Sequence, residues 1–265
     1  NTFQNVRTSG FSRIIVGDNS TAIGDNGPNM VTAGGFNDQI IGLGGNDTLN
    51  GGLGDDLLIG GAGDDDLDGG SDAFFNDYDT VSYMSATRGV TVSLALTGPQ
   101  NTFGAGVDTL SRFQNLTGSA FNDNLSGDGG NNVIIGGAGN DVMVGGEGTD
   151  TADYASAASG LTVSLAVVVA QNTGGSGIDE LAEFENRVGS MFADSLSGSD
   201  AANVLDGQSG KDTLNGGDGD DQLMGGTGND QLAGGAGDDE INGGAGNDSL
   251  DGGAGTDTIL YSDAS

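Results

Sequence analysis

Residues 216–260 read GGDGDDQLM, GGTGNDQLA, GGAGDDEIN, GGAGNDSLD and GGAGTDTIL, which are five uninterrupted copies of one nine-residue pattern. In every copy the first, second and fourth positions are glycine, the sixth is aspartate and the eighth is apolar. The register extends backwards to residue 189 and recurs over residues 33–68 and 118–153, which gives sixteen copies. Low hydrophobicity with high net charge is also typical of disordered chains, but those keep no fixed period. The periodicity therefore predicts an ordered repeat protein.

The glycines and the apolar position predict the local structure of each copy. Glycine adopts positive φ angles without strain, so the first six residues form a tight turn. The last three residues form a strand that is too short to carry more than one inward side chain. The side chains predicted to point inward are Ile40, Leu49, Leu58, Leu67, Leu125, Ile134, Met143, Leu196, Leu205, Leu214, Leu223, Leu232, Ile241, Leu250, Ile259 and, as the one small exception, Ala152.

The pattern resembles the G-G-x-G-x-D-x-U-x nonapeptide of the repeats-in-toxin (RTX) family, also called hemolysin-type calcium-binding repeats. The resemblance implies an all-β fold, a right-handed parallel β-roll in which two nonapeptides make one coil. It also implies calcium between turns one coil apart, so that each ion lies between residues 18 positions apart. Asp79 follows a five-residue expansion and is assigned to the same set. The expected calcium ligands are Asp38, Asp47, Asp56, Asp65, Asp79, Asp123, Asn132, Asp141, Asp150, Asp194, Asn203, Asp212, Asp221, Asp230, Asp239, Asp248 and Asp257.

Electrostatics supports a divalent cation at these positions independently. Adjacent parallel strands lie about 4.8 Å apart, and two ionised carboxylates at that spacing repel by about 3 kcal/mol at an effective dielectric of 20. Calcium accepts several oxygen ligands in flexible geometry, whereas magnesium demands stricter octahedral coordination. Aspartate pairs 18 residues apart occur at 38–56, 47–65, 123–141, 194–212, 212–230, 221–239, 230–248 and 239–257. Asn132 with Asp150 and Asn203 with Asp221 add two weaker sites, so about 8 to 10 calcium ions are expected.

Composition excludes several functions. The 265 residues include 39 acidic and 6 basic side chains, for a net charge of −33, and neither histidine nor cysteine. Such a chain has no zinc site, no thiol nucleophile and no serine–histidine–aspartate triad, and we expect no catalytic residues. The charge repels nucleic acid and anionic membrane surfaces. No apolar run reaches the length of about 18 residues that a membrane helix needs, so no membrane insertion is expected.

A longer period separates the nonapeptide blocks. Identical residues recur 71 positions apart: Tyr83 with Tyr154, Asp108 with Asp179, Asn115 with Asn186, and Gly118 with Gly189. Within this longer repeat, GVTVSL (89–94) and GLTVSL (160–165) alternate apolar and polar residues and predict half-buried strands. We expect these segments to cover or extend the roll, with a short helix over 179–187.

The predicted organisation has seven parts. Residues 1–32 form a degenerate first segment, the end of a preceding insert plus irregular repeats, in which Arg13 occupies the position of Asp123 and no calcium ligand is expected. The other parts are block 1 (33–72), insert 1 (73–117), block 2 (118–153), insert 2 (154–188), block 3 (189–260) and the start of a further insert (261–265). Because the chain begins and ends within the pattern, we expect a fragment of a longer repetitive protein.

The resemblance implies an extracellular, non-enzymatic calcium-binding scaffold that folds on calcium binding after type I secretion, within a large repetitive adhesin or surface-layer protein. The alternative is a non-catalytic carboxyl-terminal module of a secreted lipase, protease or epimerase. An ice- or glycan-binding face is a third reading, which the irregular third positions (Ser209, Asp218, Thr227, Ala236) disfavour. Besides calcium, the expected partner is a second copy of the chain, end to end or laterally, because exposed strand edges template pairing.

Overall fold

The computed structural model describes residues 5–7, 12–15, 19–70 and 78–260. These residues form strands and turns and contain no helix, so no helix in the described part is long and apolar enough to cross a membrane. The chain divides into two compact units, Asn1–Ile134 and Ile135–Ser265.

Unit 1 consists mainly of stacked parallel strands. They are β1 (Asn5–Arg7), β2 (Ser12–Ile15), β3 (Thr21–Ile23), β4 (Asn29–Thr32), β5 (Gln39–Gly44), β6 (Thr48–Gly52), β7 (Leu57–Ala62), β8 (Asp66–Gly70), β9 (Thr80–Ser82), β10 (Thr91–Ser93), β11 (Gln100–Asn101), β12 (Val107–Ser111), β13 (Asn115–Thr117) and β14 (Asn124–Ser126). One sheet has the order β1-β3-β5-β7-β9-β13 and a second β11-β12-β8-β6-β4-β2, while β10 pairs with β14. The boundary between the units falls within β15 (Val133–Ile135).

Unit 2 repeats this arrangement. Its strands are β16 (Val142–Val144), β17 (Thr151–Asp153), β18 (Thr162–Ser164), β19 (Gln171–Asn172), β20 (Ile178–Ala182), β21 (Asn186–Val188), β22 (Ser195–Ser197), β23 (Val204–Asp206), β24 (Thr213–Asp218), β25 (Gln222–Met224), β26 (Thr227–Gly228), β27 (Gln231–Ala236), β28 (Glu240–Asn242), β29 (Ala245–Gly246), β30 (Ser249–Ala254) and β31 (Thr258–Leu260). The two larger sheets have the orders β17-β21-β23-β25-β28-β31 and β18-β22-β24-β27-β30. The smaller ones are β16-β20-β19 and β26-β29.

The strand register confirms two nonapeptides per coil. Gln39 pairs with Leu57 in β5 and β7, and Gln231 pairs with Ser249 in β27 and β30, so residues 18 positions apart lie side by side. Consecutive strands alternate between the two sheets, as β5, β6, β7 and β8 do. Each unit is therefore a parallel β-roll, and the predicted fold class is confirmed.

The eighth-position side chains form the core between the sheets. From Ile40 to Ile241 every one of them is at most 2% exposed, including Ala152. The strand residues on either side of them point outward and are more exposed, as the burial pattern of Gln222, Leu223 and Met224 in β25 shows. At the carboxyl end Leu250 is half-buried and Ile259 is 38% exposed. One apolar side chain per nonapeptide therefore supplies the core of the regular coils.

The inserts extend the roll. In insert 1, β12 pairs in parallel with β8, β13 pairs with β9, and the two-residue strand β11 folds back antiparallel onto β12. Insert 2 repeats these pairings one 71-residue period later, with β20 on β16, β21 on β17 and β19 antiparallel to β20. The GVTVSL and GLTVSL segments contain β10 and β18, in which Val92 and Val163 are buried, as predicted.

The helix expected over residues 179–187 is wrong. This stretch contains the end of β20 and the start of β21, separated by a turn at Glu183, whose φ is 59°. Asp179 and Leu181 are buried while Glu180 between them is exposed, which is the two-residue period of a strand.

The first segment contains irregular coils. β2 pairs with β4 so that Ser12 lies opposite Asn29 and Arg13 opposite Met30. The sixth-position equivalent in this coil is therefore Ser12 and not Arg13, because the coil is one residue shorter than the regular ones. Most of the expansion before Asp79 (71–77) and the predicted start of a third insert (261–265) lie outside the described residues.

Candidate metal centre: ladders of buried carboxylates

The sixth-position side chains join each coil to the previous one. In unit 2, the backbone N–H of Asp194 donates to Oδ1 of Asp212 at 2.8 Å, that of Asp212 to Asp230 at 2.9 Å, and that of Asp230 to Asp248 at 3.0 Å. At the other turn a parallel ladder runs from Asn203 to Asp221, Asp239 and Asp257, with N···O distances of 2.8, 2.9 and 3.2 Å. The pairs expected 18 residues apart are therefore brought together along block 3.

Unit 1 contains the same two ladders. The N–H of Asp38 donates to Asp56 at 2.7 Å and the N–H of Asp56 to Asp79 at 2.9 Å, so Asp79 occupies the sixth-position site despite the expansion before it. On the other turn the N–H of Asp47 donates to Asp65 at 2.9 Å.

The remaining expected ligands contact the inserts. Asp123 accepts the N–H of Val90 at 2.7 Å, and Asp194 accepts that of Leu161 at 2.8 Å. The N–H groups of Asp141 and Asp150 donate to side chains of insert 2. The pairs Asp123 with Asp141 and Asn132 with Asp150 have one member in each unit and stay predictions.

The second carboxylate oxygen distinguishes these aspartates from ordinary turn residues. Oδ2 is buried and accepts no hydrogen bond from the described residues in Asp47, Asp65, Asp212, Asp221, Asp230 and Asp239. A buried carboxylate oxygen without a donor is costly, and native structures rarely tolerate it. Its repetition along the ladder indicates that a ligand outside the chain satisfies these oxygens.

The first-position glycines border the space that these oxygens face. A Cβ at Gly207 would lie 2.7 Å from Asp212 Oδ2 and 2.9 Å from the carbonyl oxygen of Gly225 in the next coil. A Cβ at Gly225 would lie 2.7 Å from Asp230 Oδ2 and 2.6 Å from the carbonyl oxygen of Gly243. Glycine is therefore required here because a carboxylate and a carbonyl of two adjacent coils converge on the space that a side chain would fill.

The donor set fits calcium. The converging atoms are all oxygens, from carboxylates and from backbone carbonyls, which are the ligands calcium prefers. Within the described residues no three acidic side chains surround one point, so an ion on the ladder needs backbone carbonyls in addition to aspartates.

Burial raises the pKa of several ladder carboxylates. Desolvation raises the pKa of Asp65 and of Asp212 to about 7, opposed by the backbone N–H that each accepts and reinforced by neighbouring aspartates. The same causes raise the pKa of Asp47 and of Asp221 to about 6. Burial therefore shifts these four carboxyls toward the protonated form relative to an exposed aspartate, whereas a nearby cation favours the ionised form.

Asn29 occupies a ladder position that was not predicted from the sequence. Its N–H donates to Asp47 at 2.7 Å, and its Oδ1 accepts the N–H of Asp25. Counting nine residues back from Ala33 reaches Gly24 and predicts this copy, with Asn29 sixth and Val31 eighth.

The fifth positions form a further ladder, separate from those of the sixth positions, which was not predicted from the sequence. The N–H of Asp55 donates to Asn37 at 3.2 Å, that of Asp64 to Asn46 at 3.1 Å and that of Asp238 to Asp220 at 2.8 Å. These exposed bonds run in the opposite direction to those of the sixth positions, and the frequent Asn or Asp before the sixth position was the available signal.

The fold and this site together define a class: a parallel β-roll whose turns stack oxygen ligands for calcium. The model of the RTX calcium-binding nonapeptide repeat (4 copies) matches residues 23–58, 41–73, 117–152, 188–223 and 224–259, more than half of the chain. The chain therefore belongs to the RTX calcium-binding nonapeptide repeat family. The comparison with curated proteins found no match.

Proposed function

We propose that this chain is an extracellular calcium-dependent structural scaffold that folds on calcium binding after type I secretion. The observation that carries the proposal is the row of buried Oδ2 atoms in block 3, from Asp212 to Asp239, to which none of the described residues donates a hydrogen bond. Without calcium each of these carboxylates costs desolvation and mutual repulsion, and one core side chain per nonapeptide offsets little of the ordering entropy. Calcium binding and folding are therefore coupled.

The calcium range of the switch follows from the ligand set. Extracellular calcium modules bind at about 10⁻⁴ to 10⁻³ M, so cytosolic calcium leaves such sites empty and external calcium fills them. Each internal aspartate of block 3 contacts two neighbouring coils, so filling is cooperative. An expanded calcium-free chain also suits passage through a secretion channel.

A calcium titration followed by far-UV circular dichroism tests the proposal, with chelator and magnesium as controls. We expect β-structure to appear cooperatively with calcium at a stoichiometry of about 8 to 10 ions, with the sixth-position residues as ligands. Full β-structure in chelator, or equal folding in magnesium, would contradict it.

Within this function we propose that the chain is a non-catalytic part of a large repetitive adhesin or surface-layer protein. The support is that insert 2 repeats the strand pairings of insert 1 after 71 residues, as a periodic scaffold requires. The alternative, a carboxyl-terminal module of a secreted enzyme, rests on the family alone. Sequencing the gene on both sides separates them: further 71-residue copies support the scaffold, and an adjacent catalytic domain supports the alternative.

Self-association, end to end or laterally, is part of this proposal because β30 is the outermost strand of its sheet among the described residues, and exposed strand edges template pairing. Light scattering behind size-exclusion chromatography at millimolar calcium tests it. Assemblies that grow with protein concentration are expected, and a monomer at every concentration contradicts self-association.

A further inference from the structure

At one ladder each insert supplies an aspartate that accepts the N–H of the last ladder residue, and hydroxyl groups donate to this aspartate. Asp108 in insert 1 is 1% exposed; its Oδ1 accepts the N–H of Asp65 at 3.0 Å and its Oδ2 accepts the hydroxyl of Tyr83 at 3.1 Å. In insert 2 the fully buried Asp179 accepts the N–H of Asp141 at 3.0 Å and the hydroxyl of Tyr154 at 3.1 Å.

A threonine completes each of these arrangements. The hydroxyl oxygen of Thr173 lies 3.0 Å from Oδ2 of Asp179, and the hydroxyl of Thr102 interacts with Asp108 in the same way. We call the two sets, Tyr83–Asp108–Thr102 and Tyr154–Asp179–Thr173, the hydroxyl clamps. The members of one clamp lie 71 residues from their counterparts in the other, so the two clamps are copies of one device.

At the opposite ladder each insert supplies a side-chain oxygen that accepts the N–H of the last ladder aspartate, from the amide of Gln114 in insert 1 and from the carboxylate of Glu185 in insert 2. The N–H of Asp79 donates to Oε1 of Gln114 at 2.8 Å, and the carbonyl of Gln114 accepts the side-chain amide of Asn132 at 2.9 Å. In insert 2 the N–H of Asp150 donates to Glu185 at 2.8 Å, and the carbonyl of Glu185 accepts Nδ2 of Asn203 at 2.7 Å.

The two sixth-position asparagines therefore have a specific role. Oδ1 of Asn203 accepts the N–H of Ser199 at 2.7 Å, and Oδ1 of Asn132 accepts that of Asp128 at 2.8 Å. Nδ2 of each asparagine takes the place of the Oδ1 that in block 3 accepts an N–H from the previous coil, and it donates instead to the carbonyl of the residue 18 positions earlier. Its Oδ1 takes the place of the aspartate Oδ2 beside the first-position glycine, as at Gly198, and accepts a backbone N–H where block 3 has no donor among the described residues. Each asparagine therefore joins its coil to the insert through neutral hydrogen bonds.

The inserts also bury more apolar surface than the regular coils. Insert 1 buries Tyr83, Val90, Val92, Leu110, Phe113 and Leu116. Insert 2 buries Tyr154, Leu161, Val163, Leu165, Leu181 and Phe184. Apolar burial is the main favourable contribution to folding. In the inserts it stabilises coils in which Asp108 and Asp179 also accept hydrogen bonds on both carboxylate oxygens.

We infer that the hydroxyl clamps and the hydrogen bonds of the two asparagines make the two insert coils, residues 80–117 and 151–188, calcium-independent locks that stay ordered when the calcium ladders are empty. Each lock then serves as the template on which the neighbouring block adds coils as calcium binds. This second step rests on the proposed calcium-dependent folding, whereas the order of the inserts without calcium does not.

Hydrogen–deuterium exchange of the full chain, followed by mass spectrometry in chelator and in calcium, tests the inference. In chelator, peptides within 80–117 and 151–188 are expected to exchange at least tenfold more slowly than peptides within 207–260. In calcium all of them are expected to be protected. Inserts that exchange as fast as an unfolded block 3 overturn the inference and leave the proposed function intact. A block 3 that stays protected in chelator overturns the proposed function instead.

Two sets of variants identify the groups responsible. Tyr83→Phe with Tyr154→Phe removes only the clamp hydroxyls and is expected to cost the inserts about tenfold of their protection in chelator, while the calcium-bound protein keeps its fold. Tyr78→Phe, at an exposed tyrosine, is the matched control and is expected to change nothing. Asn203→Asp restores the regular sixth-position residue and is expected to make peptides around residues 186–206 require calcium. If the double tyrosine variant exchanges like the unaltered chain in chelator, the clamp hydroxyls do not have the inferred role. If Asn203→Asp exchanges like the unaltered chain in chelator, the asparagine amide does not have it.

Discussion

Block 3 and the inserts use the same backbone ladder but satisfy its carboxylates differently. In block 3, Oδ1 of Asp230 accepts an N–H from the previous coil and Oδ2 has no donor among the described residues. In insert 2, Asp179 sits in an equivalent place, yet its Oδ2 accepts the hydroxyl of Tyr154. The roll therefore stacks acidic residues in two ways, either with a neutral donor to the second carboxylate oxygen or with none among the described residues. Under the proposed function only the second way is expected to make a coil depend on calcium.

The largest expected effect comes from breaking a ladder in the middle of block 3. Asp230→Ala removes the acceptor of the Asp212 N–H and the carboxylate that faces Gly225. Hydrogen bonds to charged groups contribute about 1.5–3 kcal/mol, so the calcium midpoint of block 3 is expected to rise at least about tenfold. Circular dichroism during a calcium titration measures it.

Two controls sharpen this experiment. Asp251→Ala removes an exposed, outward carboxylate of β30 and is expected to leave the calcium midpoint unchanged. Asp230→Asn keeps an oxygen for the Asp212 N–H but removes the charge, so an intermediate midpoint is expected. If Asp230→Ala titrates like Asp251→Ala, the ladder does not bind calcium.

The next effect comes from filling the space beside the ladder. Gly225→Ala places a methyl group 2.6 Å from the Gly243 carbonyl and 2.7 Å from Asp230 Oδ2. Overpacking costs about 1–3 kcal/mol, and the added group obstructs the space where the oxygens converge, so both the melting temperature in calcium and the calcium affinity fall. Gly129→Ala is the control, because nothing lies within 4 Å of its Cβ. Equal melting temperatures for the two variants would refute the steric account of the first-position glycine.

A third effect is the response to pH without calcium. In the folded ladder, burial raises the pKa of Asp65 and Asp212 to about 7, above the ordinary aspartate pKa of 3.8. A raised carboxyl pKa means that the folded state binds more protons than the unfolded state, so its stability is greatest below pH 4 and is lost as the pH rises through 7. Circular dichroism in chelator is expected to show more block 3 structure at pH 4.5 than at pH 7.5.

Calcium affinity is expected to depend on pH in the opposite direction to the stability of the calcium-free fold. Since calcium binds the ionised carboxylates, its affinity is expected to increase from pH 5 to pH 7.5 as protons leave the ladder. A calcium midpoint that does not change over this range contradicts the raised pKa values.

The smallest expected effect concerns one buried residue pair that differs between the two inserts. Arg187 of β21 is fully buried, its guanidinium has no hydrogen-bond partner among the described residues, and it pairs with Ala152. Insert 1 has Leu116 paired with Val81 at the corresponding places. Insert 2 thus combines a smaller residue, Ala152, with a larger one, Arg187, and the packing is conserved. Burial disfavours the charged guanidinium and lowers the pKa of Arg187 to about 10.

Transferring the pair of insert 1 to insert 2 tests this comparison. Replacing a buried charge by apolar residues of similar volume is neutral or stabilises by about 1–4 kcal/mol, so Ala152→Val with Arg187→Leu is expected to raise the melting temperature in calcium slightly. Arg187→Leu alone leaves unfilled space beside Ala152, so its melting temperature in calcium is expected to rise less than that of the double variant. A double variant less stable than the natural chain would show that the charge of Arg187 stabilises insert 2.

The sequence by itself determined the repeat, the coil and the core. A glycine turn followed by one apolar residue, as in residues 216–224, leaves a single way to bury that residue when copies stack, so the β-roll and the inward Leu223 could be predicted. The same period placed Asp212, Asp230 and Asp248 on one ladder. Local periodicity sufficed there because residues in neighbouring coils have a constant separation in the chain.

Only the tertiary structure decided how the inserts join the ladders. Asp65 contacts Asp108 43 residues away, and Asp141 contacts Asp179 38 residues away, so no fixed spacing predicts these partners. Tyr83 and Asn203 were visible in the sequence as a repeated residue and as an exception, but the group that each one satisfies depends on how the loops fold back. We expect the calcium dependence of each coil to be decided at this level, because a buried carboxylate oxygen that has no donor favours a bound cation.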